Sequence, residues 1–163
     1  MRKAVFFDRD GIVNRELGDY VMQFHEFELH EPVLPFLKAV KRHGFLTIII
    51  TNQGGIARGL YDHSLVKACH SFMQQHLAPQ KLAFDAIYYC PHNPQFGECL
   101  CRKPKGLLVE KAIARFELDK SACFMVGDKM RDVEAATAAG IKGYLLPPNP
   151  TTEELMQCLE NHV

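Results

Sequence analysis

Short runs that are almost wholly apolar alternate with stretches of helical spacing along the whole chain. Lys3 to Phe7 is the first apolar run, and it ends in a polar turn from Asp8 to Gly11. Val33, Leu34, Leu37 and Val40 recur at helical spacing over Val33 to Arg42, with Gly44 as a stop. Phe45 to Ile50 is rich in β-branched residues and apolar on both faces, the pattern of a strand covered on two sides. The same reading predicts a helix over Asp62 to Leu77 and a strand over Phe84 to Tyr89. It then predicts a helix over Gly106 to Phe116 and a strand over Cys123 to Val126. An alanine-rich helix over Val133 to Ala139 stops at Gly140, a strand follows over Gly143 to Leu146, and Thr151-x-x-Glu154 is a capping box before a last helix. Apolar strands alternating with helices predict an α/β fold with a doubly wound, mostly parallel sheet of Rossmann-like type.

Composition narrows the class. The chain has 163 residues, 47% of them apolar, which suits one domain with a true core over residues 1–163. Nineteen Lys and Arg balance nineteen Asp and Glu. That neutrality argues against nucleic acid as a partner, which calls for a basic excess, and against an anionic membrane surface. No apolar run approaches the ~20 residues of a membrane-spanning helix. The acidic turn at Asp8 comes too early for a signal peptide, so the expected location is cytoplasmic and the expected state monomeric.

In a parallel α/β sheet, ligands bind past the carboxyl ends of the strands. The polar residues at those ends are Asp8 and Asp10, Thr51 to Gly55, the segment after Tyr89, and Asp128 with Asp132 beyond it. Carboxylates that meet repel unless one takes a proton or a cation sits between them. A hard dication with oxygen ligands, most simply Mg2+, satisfies Asp8, Asp10 and Asp128. The bland alternative makes these residues turn formers and a helix cap. Thr51-Asn52-Gln53-Gly54-Gly55 offers a hydroxyl, amides and open backbone N–H groups to an anion. Arg102, Lys103 and Lys105 add three cations, with Pro104 placed to open the helix that follows.

Cys90-x-His92 and Cys99-x-Cys101 make a set of three thiols and one imidazole, the closed tetrahedral ligand set of structural Zn2+. A disulfide between Cys99 and Cys101 would be strained. Cys69, Cys123 and Cys158 read as packing residues. His25, His30, His43, His63, His70, His76 and His162 stand singly and read as surface or packing residues.

Phe7-Asp8-Arg9-Asp10-Gly11, Thr51-Asn52-Gln53, Arg102-Lys103-Pro104 and Val126-Gly127-Asp128-Lys129-x-x-Asp132 resemble, in order, the four motifs of the haloacid dehalogenase-like phosphatases. They span essentially the whole chain. More narrowly, the sequence is similar to the capless branch acting on D,D-heptose 1,7-bisphosphate and histidinol phosphate. Thr51-Asn-Gln-Gly-Gly-Ile-Ala-Arg-Gly59 and Gly127-Asp-Lys-Met130 lean to the heptose side. Ile12 departs from the threonine common in the family, and no insertion is long enough for a cap domain.

The resemblance implies phosphomonoester hydrolysis through an aspartyl phosphate, with a small phosphorylated sugar as the partner molecule. Asp8 would be the nucleophile and Asp10 the general acid and base. Mg2+ would sit on Asp8, Asp128 and the Asp10 main-chain carbonyl. Thr51 and Lys103 would hold the phosphoryl oxygens, and Arg102, Lys129, Asn52, Gln53 and the loop from Glu16 through Gly18 to Asp19 would meet the rest of the substrate, next to Gly54. The same branch carries a zinc loop, here residues 90–101, which would aim Arg102 and Lys103. Readings from other classes are a phospho-accepting signalling module, which would need a paired acidic dipeptide at the first strand, and a zinc-ribbon binding module.

Overall fold

The computed structural model describes residues 1–163. Five strands form one sheet: β1 Ala4–Phe7, β2 Leu46–Asn52, β3 Ala86–Cys90, β4 Phe124–Gly127 and β5 Lys142–Leu145. They lie in the order β3-β2-β1-β4-β5, and every neighbouring pair is parallel. The helices are α1 Val33–Arg42, α2 His63–Leu77, α3 Leu107–Phe116, α4 Met130–Ala138 and α5 Thr152–Glu160.

Side chains alternate across each strand, so each strand serves two cores. Val5 and Phe7 of β1, Ile49 of β2, and Phe124 and Val126 of β4 face a cluster built with α1, α2 and α5. Ala4, Phe6, Ile48, Ile50 and Met125 face the opposite cluster with α3 and α4. This double coverage explains why the central strands are apolar throughout. No helix of the protein is long and apolar enough to cross a membrane.

Several boundaries shift by a residue or two from the sequence expectation, and three differences have a clear local reason. β3 begins at Ala86 rather than Phe84, because the Gln74 amide of α2 occupies the Phe84 backbone: Phe84 N donates to Gln74 Oε1 and Gln74 Nε2 donates to the Phe84 carbonyl, both at 2.8 Å. α4 begins at Met130 rather than Val133, because the Lys129 N–H donates to Asp132 Oδ2 at 3.0 Å and Asp132 caps its own helix. Pro104 does not open α3; it lies in the turn before Gly106, the N-cap. The capping box at Thr151 forms as expected, with Glu154 N donating to Thr151 Oγ1 at 3.2 Å and Thr151 N to Glu154 Oε2 at 2.8 Å.

The chain reverses its direction of winding between β1 and β4, where strand order opens a crevice at the carboxyl edge. Phe7 pairs with Val126 there, and Asp8 N donates to the Val126 carbonyl at 3.0 Å. Asp8 and Asp128 leave the sheet side by side for this reason.

Candidate active site

Asp8, Asp128 and Asp132 are all buried, and one carboxylate oxygen from each lies within 4.8 Å of the others. Lys103 is 2% exposed and reaches into this group. Its Nζ donates to Asp8 Oδ1 and to the Ile50 carbonyl, each at 2.7 Å, and lies 2.7 Å from Asp132 Oδ1. An ammonium has three donors; two are engaged by Asp8 and the Ile50 carbonyl, and Asp132 Oδ1 stands beside it as an ion pair with no hydrogen bond. Burial opposes its charge, but Asp8 and Asp132 outweigh it and raise its pKa. Asp8 moves up as well: burial is the larger cause, and the Asp132 and Asp10 charges add to it against the pull of Lys103. Three buried carboxylates thus gather at one edge, and the buried ammonium pairs with two of them, Asp8 and Asp132.

The residues fit a divalent cation. Neither buried oxygen of Asp128 accepts a hydrogen bond, and Lys129 Nζ is 3.5 Å from Oδ2. Two orphaned carboxylate oxygens cost free energy unless a cation meets them. Asp128 is therefore no helix cap; Asp132 has that role. Gly11, at φ +89°, lets the loop after β1 pass against Asp128: a Cβ there would lie 2.4 Å from Oδ2.

The Asp10 carboxylate does not join this cluster. Its Oδ1 accepts from Arg9 Nη2 and Asn14 Nδ2, both at 2.9 Å, and its Oδ2 accepts from Gln53 Nε2 at 2.9 Å. Burial pushes its pKa up, but the Arg9 charge and these three donors more than offset that, leaving it below the usual value. The main-chain carbonyl of Asp10 accepts no hydrogen bond within the chain.

Thr51 is buried at the end of β2, and its Oγ1 accepts from Gln53 Nε2 at 3.0 Å. Tyr61, its pKa pushed up to about 12 chiefly by burial, keeps its proton and donates it to Gln53 Oε1 at 2.7 Å. That bond turns the amide of Gln53 so that its NH2 faces Asp10 and Thr51.

A cleft of about 360 Å³ opens beside Asp10. Glu16, Gly18, Asp19, Asn52, Gln53, Gly54, Arg102 and Lys129 all line it, so the expected substrate residues share one cavity; Tyr20, Val21 and Arg131 join them. Asn52 lines the cleft but spends its amide on Lys103: Nδ2 donates to the Lys103 carbonyl at 3.1 Å, and Oδ1 accepts from the Lys103 N–H at 3.0 Å. Gly54 gives space to Arg102, whose Nη1 would lie 2.9 Å from a Cβ there. Ile12, in place of a hydroxyl residue, is buried in the core.

Cys90, His92, Cys99 and Cys101 converge with all ligand atoms within 4.8 Å. Cys90 Sγ is 3.0 Å from Cys101 Sγ, 3.7 Å from Cys99 Sγ and 3.5 Å from His92 Nδ1; His92 Nδ1 is 3.2 Å from Cys101 Sγ. A tetrahedron with 2.3 Å Zn–S bonds has S–S edges of about 3.8 Å. The set fits zinc, and the sulfurs stand well beyond disulfide bonding at about 2.05 Å. Burial drives the Cys90 thiol up to about 12, so without a cation this ligand stays protonated. Arg102 Nη1 donates to the His92 carbonyl at 3.1 Å, tying the cleft to this loop. Cys69, Cys123 and Cys158 are buried among apolar residues, as expected.

Sequence reading does not reach Arg9, Asn14, Tyr61 or Arg131. The one available signal was Arg9 itself, a cation set between two acids where the chain leaves an apolar strand.

Comparison with known proteins agrees with this geometry. The HAD-hydrolase-like family matches residues 100–161. The D-glycero-beta-D-manno-heptose-1,7-bisphosphate 7-phosphatase of Vibrio cholerae is 38% identical over 161 residues, covering 94% of this chain and 86% of that one. The chain belongs to this phosphatase family. The Escherichia coli member is 38% identical over 159 residues, 93% and 83% of the two chains. The crystal structure of D,D-heptose 1,7-bisphosphate phosphatase from B. bronchiseptica, complexed with magnesium and phosphate, superposes with a TM-score of 0.85 at 29% identity over 99% of both chains. The protein is thus a phosphatase with a haloacid dehalogenase-like fold.

Proposed function

We propose that this protein is a Mg2+-dependent phosphomonoester hydrolase that removes the 7-phosphate of D-glycero-D-manno-heptose 1,7-bisphosphate. Residues 1–163 act as one domain with a zinc loop at 90–101. The observation that carries the reading is the buried group of Asp8, Asp128 and Asp132, with Lys103 paired to Asp8 and Asp132, next to a cleft lined by Arg102, Lys129 and Arg131. The relatives' shared substrate supports the heptose over histidinol phosphate.

Asp8 Oδ1 accepts from Lys103 and from the Arg9 N–H, at 2.7 and 2.9 Å, which leaves Oδ2 free to attack phosphorus in line. Lys103 and Thr51 stabilise the spread charge of the transferring phosphoryl group. Asp10, ionised in the free protein, relays a proton from the monoanionic phosphate ester to the departing sugar oxygen and then takes one from the water that cleaves the aspartyl phosphate. Asp8 and Asp128, with the Asp10 carbonyl, would hold Mg2+, which when bound offsets the repulsion between carboxylate and phosphate. That repulsion is about 4 kcal/mol at ~4 Å and an effective dielectric of 20. Cys90, His92, Cys99 and Cys101 would hold Zn2+, which closes the loop and leaves no position for substrate.

Phosphate release from heptose 1,7-bisphosphate and histidinol phosphate, with and without Mg2+, tests this reading. One phosphate per bisphosphate, only with Mg2+, is expected. Faster release from histidinol phosphate overturns the substrate and leaves the hydrolase standing. Wild-type release by Asp8→Asn overturns the nucleophile.

A further inference from the structure

Arg9 is a buried cation that the phosphatase chemistry does not itself require. It is 2% exposed, its guanidinium lies 5.4 Å from the centroid of Phe27, and its Nε has no partner. Two nitrogens are engaged: Nη2 donates to Asp10 Oδ1 at 2.9 Å, and Nη1 lies 3.3 Å from His70 Nε2. His70 comes from the middle of α2, is itself buried, and packs edge-on against Tyr89. The guanidinium is donor-only, so the imidazole nitrogen facing it is the acceptor.

We propose that His70 is a positioning residue for proton transfer by Asp10, fixing Arg9 so that it holds Oδ1 and leaves Oδ2 as the oxygen that exchanges the proton with substrate. Oδ1 already accepts from Arg9 and Asn14, whereas Oδ2 has only the Gln53 amide and belongs to a residue that lines the cleft. The inference rests on the hydrolysis assigned to Asp8 and Asp10. In the step concerned, the Asp8 oxygen bonds to phosphorus as the ester P–O bond breaks. A proton that Asp10 Oδ2 takes from the monoanionic phosphate ester passes to the leaving alkoxide oxygen. Burial and the neighbouring Arg9 charge keep His70 neutral, as an acceptor must be.

An alkyl leaving group needs that proton and p-nitrophenolate does not, so the two separate positioning from general structure. Wild-type protein with Mg2+ is compared with His70→Leu and His70→Gln on heptose 1,7-bisphosphate and on p-nitrophenyl phosphate. His70→Leu is expected to lower kcat/KM for the sugar ester about tenfold, a fraction of what acid catalysis supplies. It should leave the aryl ester within about twofold, and His70→Gln, which retains an acceptor, should restore most of the sugar rate. Equal losses on both esters, no loss on either, or failure of His70→Gln to restore the sugar ester overturns the assignment. If His70→Leu does not fold, Arg9→Met carries the same comparison, and equal losses there overturn it. Failure of the underlying hydrolase reading is distinct: wild-type protein would then release phosphate from neither ester.

Discussion

Asn52 holds the main chain of Lys103 on both sides of its Cα, donating to its carbonyl at 3.1 Å and accepting from its N–H at 3.0 Å. The side chain of Lys103 then runs inward to Asp8 and Asp132, so a residue at the end of β2 sets where the buried ammonium sits. Asn52→Ala removes both bonds and leaves a main-chain donor and acceptor without partners, which should cost about 1–3 kcal/mol of stability. It should also lower kcat more than it raises KM, because Lys103 acts on the phosphoryl group. Urea unfolding and steady-state kinetics check the two effects; a pure KM effect would return Asn52 to direct substrate binding.

Asp128 carries two buried oxygens with no hydrogen bond, beside Asp8 and Asp132. In metal-free protein this carboxylate is a source of repulsion rather than of stability. Asp128→Asn should therefore leave the metal-free Tm unchanged or higher. In the wild type, Mg2+ at a hundredfold excess over Kd should add about 2.7 kcal/mol. In Asp128→Asn most of that gain should disappear, together with turnover. Calorimetry with and without Mg2+ measures it, and an undiminished Mg2+ response in the variant would move the cation elsewhere.

The frame of the site was legible because its residues follow strands. Apolar runs on both faces located β1, β2 and β4, and residues just beyond parallel strands must meet at one edge. Asp8 and Asp128 therefore came together as expected, and so did the four zinc-type ligands, which lie close in sequence. Residues whose roles depend on partners far along the chain were not legible. Arg9 meets His70 across 61 positions, and Asn52 meets Lys103 across 51. Alternation alone placed Asp8 and Asp10 on one side, yet the Arg9, Asn14 and Gln53 donors draw the Asp10 carboxylate away from the metal-type cluster. β3 starts late because of a glutamine on a helix, a contact that no local pattern encodes.

His70 makes folding stability depend on pH. Burial first, and the Arg9 charge second, lower its pKa from 6.5 to about 3, so the folded protein refuses a proton that the unfolded chain accepts. The unfolded state then binds more protons between these two values, and stability falls as pH drops below about 6.5. At about pH 5 the loss should reach about 2 kcal/mol from this group alone. Asp8, whose pKa is raised, contributes with the opposite sign but does so equally in a His70 variant. Denaturation curves of wild type and His70→Gln from about pH 4.5 to 7 should show the shallower slope in the variant. Parallel slopes would place a proton on native His70.

The zinc-type loop sits one residue from the cleft: Cys101 is followed by Arg102, and Arg102 bonds back to the His92 carbonyl at 3.1 Å. Four ligands fixed by one ion would hold this turn, and losing one ligand would free both it and the cation it carries. Cys90, driven up to about 12 by burial, would then stay a neutral thiol. Cys99→Ala is therefore expected to release one equivalent of zinc on metal analysis and to lower the Tm. It should raise KM for the sugar phosphate through Arg102, with a smaller loss in kcat, since Lys103 is also held by Asn52 from the other side. Normal melting with unchanged KM in this variant would separate the metal loop from the placement of Arg102.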